Sequence, residues 1–194
     1  PVCGTNLFDM EFYRENLPLI LKVYDSLADD ISFGLAPAVV MYEVYCNTTS
    51  YYSLDQGVMQ PLGYLVFIIA AFSALRLAKF NIDTTQSTEF EGLPTPANAL
   101  MLMSLATLYA NGQVALYQEH VLLISVAASL LLVSPIRMFA LKFKSFRWAD
   151  NKLRYGFLLA ALNFIIFFTA YSIVAIIVLY IVVSTLRWMF IAKK

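Results

Sequence analysis

The chain has 194 residues, of which 60% are hydrophobic and 13% are charged, and its basic and acidic residues cancel to a formal net charge of zero. A soluble domain is nearer half apolar and a quarter charged, so this composition excludes an ordinary soluble protein and predicts an integral membrane protein. The neutral charge gives no reason to expect a nucleic-acid partner.

A helix needs about 20 mostly apolar residues to cross a bilayer, and six stretches of the chain qualify or nearly qualify. In chain order they are 26–46, 60–79, 96–111, 119–136, 154–170 and 172–190. Pro94 and Pro96 can start the third stretch. Only "TAYS" separates the last two, which predicts a tight helical hairpin. The sequence therefore predicts an all-α, polytopic transmembrane bundle of about six spans.

The N-terminal part differs from the rest of the chain. Residues 1–16 are polar, "LPLILKVY" (17–24) is too short to cross a membrane, and no signal peptide opens the chain. We expect 1–23 to be an atypical segment, truncated or misread, and 24–194 to be the membrane-embedded domain.

The basic residues alternate between the segments that connect the spans. The segments 46–57 and 111–120 contain no Lys or Arg, whereas 76–92 contains two and 137–154 contains six. In a six-span arrangement all 13 basic residues lie on one side. Because that side is normally the cytoplasmic one, both termini are predicted to be cytoplasmic.

Three carboxylates begin the first predicted span, in "YDSLADDISFGLAPA". Asp25 and Asp29 are four residues apart and share one helical face, where they repel each other unless a cation lies between them. Oxygen ligands favour a hard ion such as Mg²⁺. Asp30 lies about 100° further round the helix, and we interpret it as a charge at a helix N-terminus.

Small residues follow these acids: Ser32, Gly34, Ala36 and Ala38. Small side chains let a neighbouring helix approach closely. We therefore predict a partner helix against this face.

"DSLADDISFGLAPA" resembles the second half of the CDP-alcohol phosphotransferase signature, D-x-x-D-G-x-x-A-R-x₈-G-x-x-x-D-x-x-x-D. Asp25 and Asp29 match its last two acids. A second stretch, "SALRLAKFNIDTTQSTEFEGLPTPANA" (73–99), is similar to the segment that joins two spans in bacterial phosphatidylserine synthases. The resemblance covers about residues 24–190.

The resemblance implies an enzyme of phospholipid biosynthesis, a transferase that makes phosphatidylserine and CMP from CDP-diacylglycerol and L-serine. It implies Asp25 and Asp29 as ligands of a divalent cation, Mg²⁺ or Mn²⁺, and Asp29 also as the catalytic base. The partners would be those two substrates and the lipid bilayer, and a homodimer stays open.

The first half of the signature has no counterpart in the chain. Counting back from Asp25 and Asp29, its two earlier acids fall on Gly4 and Leu7. The chain then carries half of the family's metal site, and we expect it to be weak or inactive alone.

Three further residues are candidates for binding substrate. Arg76 and Lys79 lie at the predicted cytoplasmic end of their span, beside Asn81. Arginine is suited to bind a phosphate or a carboxylate with two hydrogen bonds. The other interpretation is that the two cations extend to the membrane interface and that Asn81 caps the loop.

Three other functions stay open at this point. The same chemistry could use another acceptor alcohol, glycerol 3-phosphate or inositol phosphate. Intramembrane carboxylates also occur in cation transporters, although here the acids gather at one end of the spans. A non-catalytic membrane protein is the third.

Overall fold

The computed structural model describes residues 10–82, 89–139 and 148–192, and most of them are helical. The six stretches that the sequence predicts as spans are helical over most of their length, although the fourth, 119–136, is helical only as far as Val133. The α-helices are α1 Met10–Asp30, α2 Ala36–Asn47, α3 Gln56–Leu62, α4 Ile68–Ile82, α5 Thr95–Ala110, α6 Gln118–Val133, α7 Trp148–Phe168 and α8 Ser172–Ala192. A π-helix, Ile31–Leu35, and two 3₁₀ segments, Gly63–Phe67 and Thr169–Tyr171, complete the helical elements.

The first helical stretch starts much earlier than predicted. α1, the π-helix and α2 follow one another without an interruption, so the chain is helical from Met10 to Asn47 and passes through Pro18. The segment 17–24, which is too short to cross a membrane by itself, thus continues directly into the first predicted span. The helix also runs across the predicted domain boundary between residues 23 and 24.

The last two helices form the predicted hairpin. Thr169 has a positive φ of 29°, and the 3₁₀ segment around it connects α7 to α8. Phe157 and Tyr180, about twelve residues before and after this turn, bring their ring centroids to 5.9 Å. The two helices therefore lie antiparallel and side by side.

Two helical stretches are long and apolar enough to cross a membrane, Gln56–Ile82 and Arg154–Phe190. The second contains the turn between α7 and α8. α6 is apolar as well but shorter. Many large apolar side chains are exposed on these helices, including Leu158, Leu159, Leu162, Ile165, Ile166 and Phe167.

The connections without Lys or Arg meet at one end of the bundle. The Tyr109 hydroxyl donates to the Asn47 carbonyl oxygen at 2.9 Å, and the Tyr171 hydroxyl donates to that of Gln113 at 3.0 Å. The backbone N–H of Gln118 donates to the Thr49 carbonyl oxygen at 3.2 Å.

A short strand pair joins the two basic connections at the opposite end. Strand β1 (Glu89–Glu91) pairs antiparallel with β2 (Arg137–Phe139), so that Glu91 faces Arg137. The sequence analysis did not predict these strands. They bring the segments 76–92 and 137–154 together, in agreement with the prediction that the connections rich in Lys and Arg lie on one side. Residues 83–88 and 140–147 lie outside the described part.

Candidate active site

The predicted metal ligands lie near the end of the bundle that carries the basic connections. Asp25 and Asp29 are one turn apart on α1. Asp25 is exposed and Asp29 is half-buried. The pair is therefore reachable from that end of the bundle, while its inner member lies against the neighbouring helices.

Asp30 does not mark a helix N-terminus, so that interpretation is wrong. The helix has already run for 20 residues where Asp30 occurs, and it continues into the π-helix. The Oδ1 atom of Asp30 is buried and has no hydrogen-bond partner among the described residues. It lies close to Gly34, because a Cβ atom at Gly34 would come 2.6 Å from it.

The predicted close approach of a partner helix is confirmed at Gly34. A Cβ atom on Gly34 would lie 2.8 Å from both Cβ and Oγ of Ser73, which belongs to α4. Gly34 and Ala38 are buried, whereas Ser32 and Ala36 are exposed. Only the first two therefore form the close-packed face.

Arg76 is the most deeply placed of the predicted substrate-binding residues. Its side chain is only 8% exposed, and its Nη1 donates a long hydrogen bond of 3.4 Å to Thr95 Oγ1 at the start of α5. Asp29 is close enough to act electrostatically on its guanidinium group. The structure thus brings Arg76 and Asp29 to one region.

Lys79 and Asn81 reach the same end of the bundle but are engaged in other contacts. Lys79 Nζ forms a 2.7 Å ion pair with Glu91 Oε2. Asn81 Nδ2 donates to Ser26 Oγ at 2.6 Å, and Lys22 Nζ donates to the Asn81 carbonyl oxygen at 2.7 Å. Asn81 therefore ties the end of α4 to the turn of α1 that carries Asp25.

The Asp25–Asp29 pair has the donor chemistry of a magnesium site. Mg²⁺ is usually held by one or two carboxylates together with waters and substrate phosphates, and rarely by a complete protein cage. In the described ranges no group of three or more His, Cys, Asp or Glu side chains is placed to hold a metal ion. The two carboxylates are therefore suited to supply part of the ligands of such a cation, with waters and substrate phosphates as the others.

The sequence analysis missed several buried polar residues at this site. Ser73 is fully buried on α4, and Thr95 and Asn98 are buried one turn apart on α5. The pattern that could have indicated them is a pair of polar residues three apart within an apolar helix. The pairs are Ser73 with Arg76 and Thr95 with Asn98.

Comparison with known proteins identifies the family. No family model matches the chain. The chain is 30% identical over 179 residues to a CDP-diacylglycerol–serine O-phosphatidyltransferase of Helicobacter pylori, an alignment that covers 88% of this chain and 68% of that protein. The chain belongs to the CDP-alcohol phosphotransferase family.

Other members of this family that resemble the chain come from distant organisms. An archaetidylserine synthase of Methanothermobacter thermautotrophicus is 35% identical over 116 residues, covering 59% of this chain and 43% of that protein. A CDP-diacylglycerol–serine O-phosphatidyltransferase of Bacillus subtilis is 33% identical over 85 residues, covering 44% of this chain and 43% of that protein. The names of all three relatives specify serine or a serine lipid.

Proposed function

We propose that this chain catalyses phosphatidyl transfer from CDP-diacylglycerol to L-serine, giving phosphatidylserine and CMP. The observation that carries the proposal is that Asp29, the second acid of the family pair, lies close to the buried Arg76, in a chain whose relatives are named for serine. The same names weigh against another acceptor alcohol, a transporter or a non-catalytic protein.

In the proposed reaction the serine hydroxyl oxygen attacks the phosphorus that carries the diacylglycerol. A new P–O bond forms, the bond from that phosphorus to the bridging oxygen breaks, and CMP leaves with the bonding electrons. The hydroxyl proton passes to the Asp29 carboxylate as general base. Arg76 is suited to hold an anionic group of a substrate, because its guanidinium lies in the interior without a paired carboxylate in the described ranges.

Asp25 and Asp29 would hold a divalent cation, Mg²⁺ or Mn²⁺. Bound there, the cation would offset the charge of the diphosphate and of the departing CMP. Asp25 is expected to act only in this binding, whereas Asp29 has both roles. Gly4 and Leu7, where the remaining signature acids would fall, lie outside the described residues.

The proposed setting is a bacterial inner membrane crossed six times, with the active site and both termini on the cytoplasmic side. The support is that the basic connections meet at the end of the bundle where Asp25 lies, and the connections without Lys or Arg at the other end. A nucleotide-activated lipid and an amino acid would both reach the site from the cytoplasm. A homodimer stays a prediction.

Cys46 provides a test of this orientation, because it is exposed near the end without basic residues. In a Cys3→Ser background, we expect a membrane-impermeant maleimide to label Cys46 in intact spheroplasts. The matched reporter is Ile82→Cys in a chain without Cys3 and Cys46, since Ile82 is 82% exposed at the other end. It should react only after the membrane is permeabilised. The reverse pattern would contradict the proposed orientation.

The proposed activity is tested with membranes that contain one of two proteins. One is the chain itself. The other is a chimera in which the N-terminal part of the H. pylori relative precedes residues 24–194. Both are given CDP-diacylglycerol, Mn²⁺ and equal amounts of serine, glycerol 3-phosphate and inositol phosphate, and the lipid products are identified by mass spectrometry. We expect phosphatidylserine as the product, in larger amounts from the chimera. A different lipid product would refute the serine assignment.

A further inference from the structure

Five polar residues near Asp29 place buried polar atoms in the interior, and we call them the interior polar cluster: Asp30, Ser73, Arg76, Thr95 and Asn98. Ser73 and Asn98 are 0% exposed, Thr95 is 1% exposed and Arg76 is 8% exposed. The Oδ1 atom of Asp30 is buried as well. They come from three separate helical elements, so the fold itself brings them together.

The cluster converges on the π-helix. This helix packs against both α4 and α5, and Ser73 of α4 lies directly against its Gly34. Arg76 contacts Thr95 across the two antiparallel helices. On their helices, Ser73 lies one turn beyond Arg76 and Asn98 one turn beyond Thr95, both away from the end of the bundle that carries the basic connections. Ser73 and Asn98 therefore lie at about the same level along the bundle. Short π-helices within α-helices occur often at functional sites.

Most polar atoms of the cluster have no hydrogen-bond partner in the described part of the chain. These atoms are Asp30 Oδ1, Ser73 Oγ, Arg76 Nε and both Nδ2 and Oδ1 of Asn98. Buried polar groups are nearly always bonded, because an unpaired one loses its interaction with water. A cluster with five unpaired atoms therefore points to a partner that binds there.

Serines elsewhere in the bundle show that burial alone does not leave such atoms unpaired. Ser125 and Ser129 are as deeply buried in α6. Each donates a 2.7 Å hydrogen bond to the carbonyl oxygen four residues earlier in its own helix. Ser73 has the same local option and does not use it. In the described ranges Gln118 Oε1 and Ser184 Oγ are also buried without a partner, but they belong to α6 and α8, apart from the three helices whose five unpaired atoms the cluster gathers.

The unpaired atoms match both charges of a zwitterion. Arg76 Nε and Asn98 Nδ2 are donors, as a carboxylate requires. Asp30 Oδ1 and Asn98 Oδ1 are acceptors, as an ammonium group requires. Within the described ranges, Lys79 pairs with Glu91, and no ion pair joins Arg76 to Asp30. The two opposite charges therefore remain available to a ligand that carries both.

We propose that the interior polar cluster binds the α-carboxylate and α-ammonium groups of the amino-acid acceptor, and that Asn98 is a specificity-determining residue. This inference rests on the proposed function and adds to it the residues that select an amino acid. A phosphate ligand would satisfy Arg76 and the amide N–H groups but would leave the acceptors Asp30 and Asn98 Oδ1 unpaired, so the zwitterion fits better.

Asn98→Leu tests the proposal, because leucine has the same number and branching of side-chain heavy atoms as asparagine and no polar atoms. Binding of labelled L-serine to the purified chain in nanodiscs, with Mn²⁺ and CMP present, should weaken at least tenfold. The thermal unfolding midpoint without serine should stay the same or rise, because an unpaired buried amide has been removed. If the Asn98 side chain instead made a structural hydrogen bond, its replacement by leucine would lower the midpoint.

Gln118→Leu is the matched control. Gln118 is a buried amide with an unpaired Oε1, at the opposite end of the bundle. We expect this variant to bind serine with unchanged affinity. Competition adds a second measurement: glycine, which has both charged groups, should displace serine, whereas ethanolamine and 3-hydroxypropionate, which have one each, should not.

The proposal is overturned if Asn98→Leu binds serine within twofold of the unchanged chain, or if ethanolamine competes as well as glycine. Either result leaves the proposed transfer to serine intact. A chimera that makes a different lipid product refutes the proposed function and not merely this assignment. The two failures are therefore distinguishable.

Discussion

Asp29→Asn should lower phosphatidyl transfer to serine by about 10²–10⁴-fold, the usual effect of removing a positioned general base. Asparagine has almost the same shape but cannot accept the proton of the serine hydroxyl. It is also a weaker ligand for a divalent cation. Because Asp29 is half-buried beside Arg76, the loss of its charge also leaves the guanidinium without its nearby anion.

The effect is measured in the chimera as labelled serine that enters lipid, and in the chain as Mn²⁺ binding by electron paramagnetic resonance. Asp25→Asn should weaken Mn²⁺ binding as well. Glu43→Gln is the matched control, since Glu43 is an exposed carboxylate at the opposite end of α2. We expect it to change neither measurement. Full serine transfer by Asp29→Asn would remove Asp29 as the base.

Gly92→Ala should be the most destabilising single-methyl substitution in the bundle. Gly92 has a φ of +74°, and a Cβ atom there would overlap the backbone carbonyl oxygen of Leu132 at the end of α6. The N–H of Gly92 donates to the Ile136 carbonyl oxygen at 3.0 Å, and that of Leu93 to the Leu131 carbonyl oxygen at 2.9 Å. The backbone therefore cannot move away without breaking these bonds.

We expect Gly92→Ala to lower the free energy of unfolding by about 2–5 kcal/mol, the sum of a left-handed conformation and an overpacked contact. Gly112→Ala separates the two causes. Gly112 has a similar φ of +67° but nothing within 4 Å of its Cβ position, so it should lose only about 1–2 kcal/mol. Denaturant titration in detergent measures both. Equal losses would show that the contact with Leu132 contributes nothing.

The helices could be predicted from the sequence because two independent signals agree. Apolar stretches of about 20 residues mark each helix, and the alternation of Lys and Arg marks which connections share an end of the bundle. The hairpin at "TAYS" is predicted by the same reasoning. Both signals are averages over many residues, so a single unusual residue does not disturb them.

The local geometry around the acids could not be predicted in this way. The first span was predicted from residue 26, whereas α1 is already helical from Met10. The π-helix leaves no pattern in the residue types. Without it Asp30 was interpreted as a terminal charge, although its Oδ1 is buried beside Gly34.

The strand pair and the interior polar cluster depend on contacts between distant segments. Glu89–Glu91 and Arg137–Phe139 are too short to show the alternation of a strand. They pair with each other, and Arg137–Phe139 also packs against α8. Ser73 and Asn98 could have been noticed as polar residues within apolar helices. That Ser73 meets the π-helix at Gly34, and that α5 packs against the same π-helix, follows only from the tertiary packing.

Serine transfer by the chimera is the most direct measurement, because it asks whether residues 24–194 contain a serine phosphatidyltransferase site that depends on Asp29. We expect label from serine to enter lipid in the chimera, and Asp29→Asn in the same chimera to reduce this label at least a hundredfold. Label that enters lipid equally well with Asp29→Asn, or a chimera that uses another alcohol and not serine, would refute the proposed function.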